Sequence, residues 1–254
     1  MARQPTDLAD PRVAALVAAC ETGLKDLLKT TRAEVFFYSA NGHGGWEAVI
    51  SNLVAPNTSI LVPGTGHFSD GWAEQVEAFG GVALRTPYVE GLPIDPAAVE
   101  AVLRDDTGHR IAAVFAVHTD TASGTTSDLD ALRRAIDAAG HPALFVVDVV
   151  ASLGAAPFTM DALGVNVAMG ASQKGLMLQP GMAFVAVDER AMAVADATPA
   201  HRFYWDWQRR RSEHSYRKFC GTPPLAHLAG LEAALGLIAH EGLAAVQALS
   251  LIHI

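Results

Sequence analysis

Cysteine is nearly absent from the chain: Cys20 and Cys220 are the only two in 254 residues, too few and too far apart for a disulfide framework or a zinc-ligand spacing. A reducing compartment fits that usage. Basic residues are also short, 18 against 27 acidic for a net charge of −9, and this argues against a binder of nucleic-acid phosphates. The one basic cluster, Arg209-Arg210-Arg211 with Arg217 and Lys218, follows Tyr204-Trp205-Asp206-Trp207; it reads as an exposed helix face or subunit contact, not a single-strand platform. No apolar run reaches the ~18 to 20 residues that span a bilayer, and Met1 to Asp7 lacks a signal-peptide core, so the expected place is the cytoplasm, off the membrane. The ten histidines form no HExxH or similar pattern, and no metal site is expected. Repeats and low-complexity linkers are missing as well, which points to one domain.

Half of the residues are apolar, and they are distributed as alternating helix and strand signals. From Asp10 to Thr30, Val13, Leu16, Val17, Cys20, Leu24, Leu27 and Leu28 recur at three- and four-residue spacing, which predicts an amphipathic helix. Strands are predicted at Glu34 to Tyr38, Thr58 to Val62, Val82 to Thr86, Ile111 to Val117, Ala143 to Val147, Val165 to Met169 and Ala183 to Val187, the last closed by Asp188. Helices are predicted at Phe68 to Phe79, Ala97 to Leu103 behind an Asp95-Pro96 cap, Asp128 to Ala139 and Leu225 to His240. Strands buried on both faces read as continuous apolar runs, as these do. The fold class is therefore α/β, a mostly parallel sheet covered by helices.

Polar residues gather where such strands end, which is where open α/β sheets bind ligands. After the first strand, Asn41-Gly42-His43-Gly44-Gly45 opens a helix; free N–H groups and the helix dipole there suit an anion, although neither GxGxxG nor GxxxxGK[ST] is present. His118-Thr119-Asp120-Thr121-Ala122-Ser123-Gly124 follows another strand and reads equally well as an Asx or Ser/Thr turn. Asp148 ends a third, where a buried carboxylate needs a cationic or proton-donating partner, such as the ring nitrogen of pyridoxal phosphate. Lys174 sits in the small-residue turn Gly170-Ala171-Ser172-Gln173-Lys174-Gly175; in a partly dry turn a lysine loses its proton and its amine can attack a carbonyl to form a Schiff base. Singly, such a lysine is usually a surface charge and such an aspartate a helix cap. In this order and combination they favour a cofactor site.

These motifs carry a resemblance. From about Asp10 to Ala248 the chain resembles the class V pyridoxal-phosphate aminotransferases, most of all the alanine–glyoxylate and serine–glyoxylate group. The marks are Val147-Asp148 with Ser152-Leu153-Gly154, Ser172-Gln173-Lys174-Gly175-Leu176 followed by Pro180-Gly181, and His118 to Gly124, where the family usually has glutamate at the position of Asp120. The resemblance implies the large domain of a fold type I enzyme, with a seven-stranded sheet over residues 31–248 and residues 1–30 as a helix packed on it or on a partner chain. It implies pyridoxal 5′-phosphate as cofactor, Lys174 as the Schiff-base lysine and proton shuttle, and Asp148 as the partner of the pyridine nitrogen. Thr121 would bond the phenolic oxygen, Phe68 would stack on the ring where tryptophan is frequent, and Gly42, His43 and Gln173 would cradle the phosphate. Phe219 to Pro224 matches a segment that crosses a homodimer interface, with Thr222 reaching the partner's cofactor phosphate.

The implied activity is transfer of an amino group from a small amino acid, alanine or serine, to a small 2-oxo acid, glyoxylate or pyruvate. Two departures stand beside it. The family's N-terminal wall of the substrate site and its C-terminal small domain, which supplies an arginine for the substrate carboxylate, have no counterpart here, and Leu249 to Ile254 does not match, so this tail is expected to be truncated or non-native. The alternatives are a fragment that binds the cofactor without turnover, and a class V lyase or desulfurase. The latter needs a mobile catalytic cysteine, whereas Cys20 and Cys220 lie in a helix and an interface-like segment.

Overall fold

The structure, a computed structural model, describes residues 6–252. Met1 to Pro5, His253 and Ile254 lie outside the described residues, and with them part of the N-terminal stretch and of the tail discussed above. In chain order the elements are α1 (Pro11–Leu28), β1 (Glu34–Tyr38), α2 (Gly42–Leu53), β2 (Ser59–Val62), α3 (His67–Ala78), β3 (Val82–Arg85), α4 (Pro96–Asp105), β4 (Ile111–Val117), β5 (Thr119–Asp120), β6 (Thr125–Thr126), α5 (Leu129–Ala138), β7 (Leu144–Asp148), β8 (Val167–Ala171), β9 (Ala183–Val187), α6 (Glu189–Ala197), α7 (Trp207–Arg210), α8 (Ser215–Lys218), α9 (Leu225–Glu241) and α10 (Leu243–Ile252).

Seven strands form one sheet in the order β1-β9-β8-β7-β4-β2-β3. The run from β3 to β8 is parallel, β9 runs against β8, and β1 runs against β9, so β1 points the same way as the parallel block. Consequently β1, β2, β4, β7 and β8 all deliver their carboxyl ends to one edge. Central strands bury both faces. Phe145 and Val147 of β7 join the core under α1, α4, α5 and α9, while Leu144 and Val146 join the core under α2, α3 and α6. This period-two division between two cores is why the strands read as unbroken apolar runs.

Caps fix the helix starts. The Asp10 side chain accepts from Arg12 N (2.9 Å) ahead of Pro11, and Asp95 accepts from Ala97 N (2.9 Å) ahead of Pro96. Each expected element is present to within a few residues, β5, β6, α7, α8 and α10 were not among those expected, and three further points are informative. Asp188 closes β9 as expected but is also the N-cap of α6, accepting from Ala191 N at 2.8 Å, and that helix was not anticipated. The run starting at Val165 becomes a strand only from Val167, because Asn166 is used as a tie: its backbone and side chain bond Phe145 (both 2.8 Å) and its amide reaches Asp188 (2.8 Å). The basic cluster is not one exposed face, since Arg210 is only 1% exposed. Its guanidinium bonds the carbonyls of Phe37 (2.8 Å), Tyr204 (2.8 Å) and Lys218 (3.2 Å) and lies over the rings of Tyr38 and Tyr204.

α9 packs along α1, and α10 leaves it at 90° after Gly242, so Leu249 to Ile252 continue a helix. Among the described residues no single helix is long and apolar enough to cross a membrane.

Candidate active site at the carboxyl edge of the sheet

Asp148 is the last residue of β7, paired in register with Val117 of β4 on one side and Met169 of β8 on the other. Its carboxylate is buried, and no cationic side chain among the described residues pairs with it. Oδ1 accepts from Val150 N (2.7 Å) and Oδ2 accepts from the Trp46 indole N–H (2.7 Å). Burial pushes its pKa up from 3.8 to about 6 against those two donors, with the negative charge of Asp120 adding to the rise.

The loop after β8 carries Lys174. Ser172 ties its two arms together: its N–H donates to Met182 O (2.9 Å), its carbonyl accepts from Leu178 N (3.0 Å), and its hydroxyl donates to Gln179 O (2.7 Å). Met177 N closes back on Lys174 O at 2.8 Å. Gly175 sits so tightly against the β7 loop that a Cβ there would lie 2.2 Å from Leu153 O, which fixes the lysine's position along the edge. Lys174 itself is exposed in this chain, so the dry turn expected for it is not supplied by the chain alone. The neighbouring Gln173 has its Oε1 buried with no hydrogen-bond partner.

On the other flank, β4 runs into the β5–β6 hairpin. Asp120 is fully buried; Oδ1 accepts from Ala122 N (3.0 Å), an Asx turn, while Oδ2 accepts from Phe68 N (2.9 Å) and the Thr65 hydroxyl (3.2 Å). That carboxylate thereby draws the first turn of α3, with half-buried Phe68, up to the loop that carries Thr121, which is exposed. His118 Nδ1 bonds the Ser152 hydroxyl at 2.8 Å, linking the β4 and β7 loops, and burial pushes the imidazole pKa down to about 4.

At β1, Asn41 caps α2 by accepting from Gly44 N (3.2 Å). The N–H groups of Gly42 and His43 in that first turn have no partner within the helix. Thr222 is exposed on the segment before α9, while Phe219 is buried in the chain's own core and stacked on Phe37 at 5.9 Å. The structure thus brings Gly42, His43, Phe68, Thr121, Asp148, Gln173 and Lys174 to one edge of the sheet, while no hydrogen bond among the described residues joins the Thr222 side chain to them. Trp46 and Asp120 were not assigned roles from sequence. Their partners are remote in the chain, and only the placing of Asp120 in a polar strand-end cluster gave any signal.

The site contains a buried anion without a cation, a primary amine, a hydroxyl, an aromatic face and a helix N-terminus. Such a set suits a flat, protonated heteroaromatic ring with an anionic group. Comparison with known proteins agrees with that chemistry. The family described as Aminotransferase class-V matches residues 7–252. The chain is 40% identical over 223 residues to the L-aspartate–glyoxylate aminotransferase of Paracoccus denitrificans, covering 87% of this chain and 56% of that protein. It is 38% identical over 224 residues to the serine–glyoxylate aminotransferase of Methylorubrum extorquens, covering 86% and 56%. Among solved structures, an alanine–glyoxylate aminotransferase from Nostoc sp. superposes with a TM-score of 0.85 at 27% identity, over 96% of this chain and 64% of that one. The chain spans little more than half the length of these curated relatives. It belongs to the class V aminotransferases.

Proposed function

We propose that this chain is the cofactor-holding part of an amino acid–glyoxylate aminotransferase. One observation carries the reading: a buried, cation-free carboxylate, Asp148, lies between two adjacent parallel strands whose ends carry Thr121 and Lys174. Class V membership implies pyridoxal 5′-phosphate, and the residues fit it on two counts: the lone Asp148 needs a protonated partner, and the buried Gln173 Oε1 has no hydrogen-bond donor among the described residues.

Bound there, the cofactor supplies an aldehyde for an amine and an electron-withdrawing ring for the charge left when an amino acid loses its α-proton. Asp148 holds the proton on the ring nitrogen. Lys174 Nζ would supply the amine that holds the aldehyde and would serve as the base and acid for the substrate α-proton. Thr121 would bond the cofactor's phenolic oxygen, Phe68 would offer an aromatic face to its ring, and the N–H groups of Gly42 and His43 would hold the phosphate with Gln173. Residues 31–248 act as one cofactor-binding unit, with α1 (Pro11–Leu28) packed on it through α9. Two copies share their sites, Thr222 of each completing the phosphate cradle of the other, and the exposure of Thr222 and Lys174 supports this. A cytoplasmic location accords with two free cysteines and with the lack, among the described residues, of a single helix able to cross a membrane.

The relatives' names offer alanine, serine and aspartate as amino donors and glyoxylate as acceptor. The test is to load the protein with pyridoxal phosphate and follow its absorption band as each L-amino acid is added, then to assay glycine after adding glyoxylate. A band that changes with a donor, followed by glycine, is the expected result. A band that ignores every donor favours the second reading, a chain that holds the cofactor without turnover, for which the open surroundings of Lys174 speak.

A further inference from the structure

We infer that Trp46 is a positioning residue for Asp148: its indole N–H, clamped in an aromatic stack, holds one carboxylate oxygen and keeps the carboxyl ionised for a cationic ring nitrogen. The need for that ionised carboxylate rests on the function proposed above. The contact itself does not. Trp46 Nε1 lies 2.7 Å from Asp148 Oδ2, and both side chains are buried.

The donor cannot swing away. The Trp46 ring stacks on Trp72 (5.5 Å, 11° between planes), meets Phe68 edge-on (6.3 Å) and His43 at a tilt (4.6 Å), while Trp72 in turn packs on Phe115 of β4 (4.7 Å). Gly71 on α3 faces the same ring, where a Cβ would stand in ordinary contact at 3.6 Å. The chain provides its own contrast. The buried indole N–H of Trp72 finds no acceptor among the described residues, so burial alone does not give a tryptophan a partner in this fold. Trp46, stacked on it, is directed at a carboxylate.

The electrical surroundings show why the bond matters. The titratable and charged neighbours are Asp120 from the β5–β6 hairpin, His118 at the end of β4 and His43 at the start of α2. Asp120 raises the carboxyl's proton affinity, burial raises it further, and His118 is kept neutral by its own burial. Against these stand two donors, Val150 N and Trp46 Nε1. Without the indole, Oδ2 of this buried carboxyl loses its only donor among the described residues, and the carboxyl satisfies itself by taking up a proton.

The test uses the protein free of cofactor, ¹⁵N-labelled at its four indoles. The Trp46 signal, assigned by its loss in Trp46→Phe, should shift with pH in a single step centred near 6 and stop doing so in Asp148→Asn. Binding of 4-deoxypyridoxine 5′-phosphate, which has no aldehyde and stays noncovalent, is then measured across the same range. For Trp46→Phe the pH midpoint of binding should move up by about one to two units, with an affinity loss on the order of tenfold or more at pH 7. An indole signal indifferent to Asp148, or an unchanged midpoint in Trp46→Phe, overturns the inference. Should Trp46→Phe not fold, the Trp46 signal is assigned by elimination with Trp72→Phe, Trp205→Phe and Trp207→Phe, and its titration in wild type and the loss of that titration in Asp148→Asn decide the matter. If the indole titrates with Asp148 while wild type binds none of the probe, the Trp46–Asp148 couple stands and the cofactor reading falls.

Discussion

Asp148 weakens the fold when it is ionised. Its folded pKa of about 6 lies above the ordinary 3.8, so between those values the folded state holds more protons than the unfolded one and stability falls as pH rises, by roughly 3 kcal/mol in all. His118 acts in the opposite sense. Its pKa is pushed down from 6.5 to about 4, so over nearly the same window the folded state holds fewer protons and stability rises with pH by a similar amount. The cofactor-free protein should therefore show a nearly flat contribution from the pair between pH 4 and 6. Urea unfolding across that range checks this: Asp148→Asn should give stability that climbs with pH, and His118→Gln stability that declines. Strand-end position made Asp148 legible in the sequence, since an apolar run closed by one acid has few physical uses. Trp46 was not legible, because its acceptor is 102 positions away and nothing local marks the pair.

The loop of Lys174 holds its shape through backbone proximity. A methyl group at residue 175 would press on the Leu153 carbonyl, which is backbone and cannot move aside cheaply. Gly175→Ala should cost about 1–3 kcal/mol in thermal or urea unfolding and should lower pyridoxal phosphate affinity, whereas Gly91→Ala, at a positive φ with nothing nearby, should leave affinity unchanged. Arg210 is a second such tie. Replacing it with methionine removes the donors to Phe37, Tyr204 and Lys218, leaves buried carbonyls unpaired, and should destabilise the chain by about 3 kcal/mol or more in the same measurement. The elements themselves were largely readable, since caps such as Asp95-Pro96 and runs such as Ile111 to Val117 act locally. The reversal of β9 was not, because strand direction depends on the connection and not on the strand's own residues. Nor was α6, whose cap, Asp188, also ends the preceding strand.

Across the molecule, the sheet turns five strand ends into one surface, and the chemistry of the proposed function follows from that convergence. What the chain leaves uncovered belongs to this scale too. Lys174 and Thr222 are both exposed, and if the sites are shared between copies, pyridoxal phosphate affinity should weaken as the protein is diluted. Equilibrium dialysis at several protein concentrations checks this, and affinity independent of dilution would mean that each copy holds its cofactor alone. Sequence could suggest the segment of Phe219 to Pro224 as a crossing point but could not divide it. Phe219 belongs to the chain's own core, and only Thr222 remains outward.

Reduction with borohydride after loading with pyridoxal phosphate, followed by peptide mass mapping, bears most directly on the central claim. The account predicts one cofactor fixed on the peptide containing Lys174, and none on that site in Lys174→Ala. A label spread over surface lysines, or equal labelling of the Lys174→Ala protein, would contradict it.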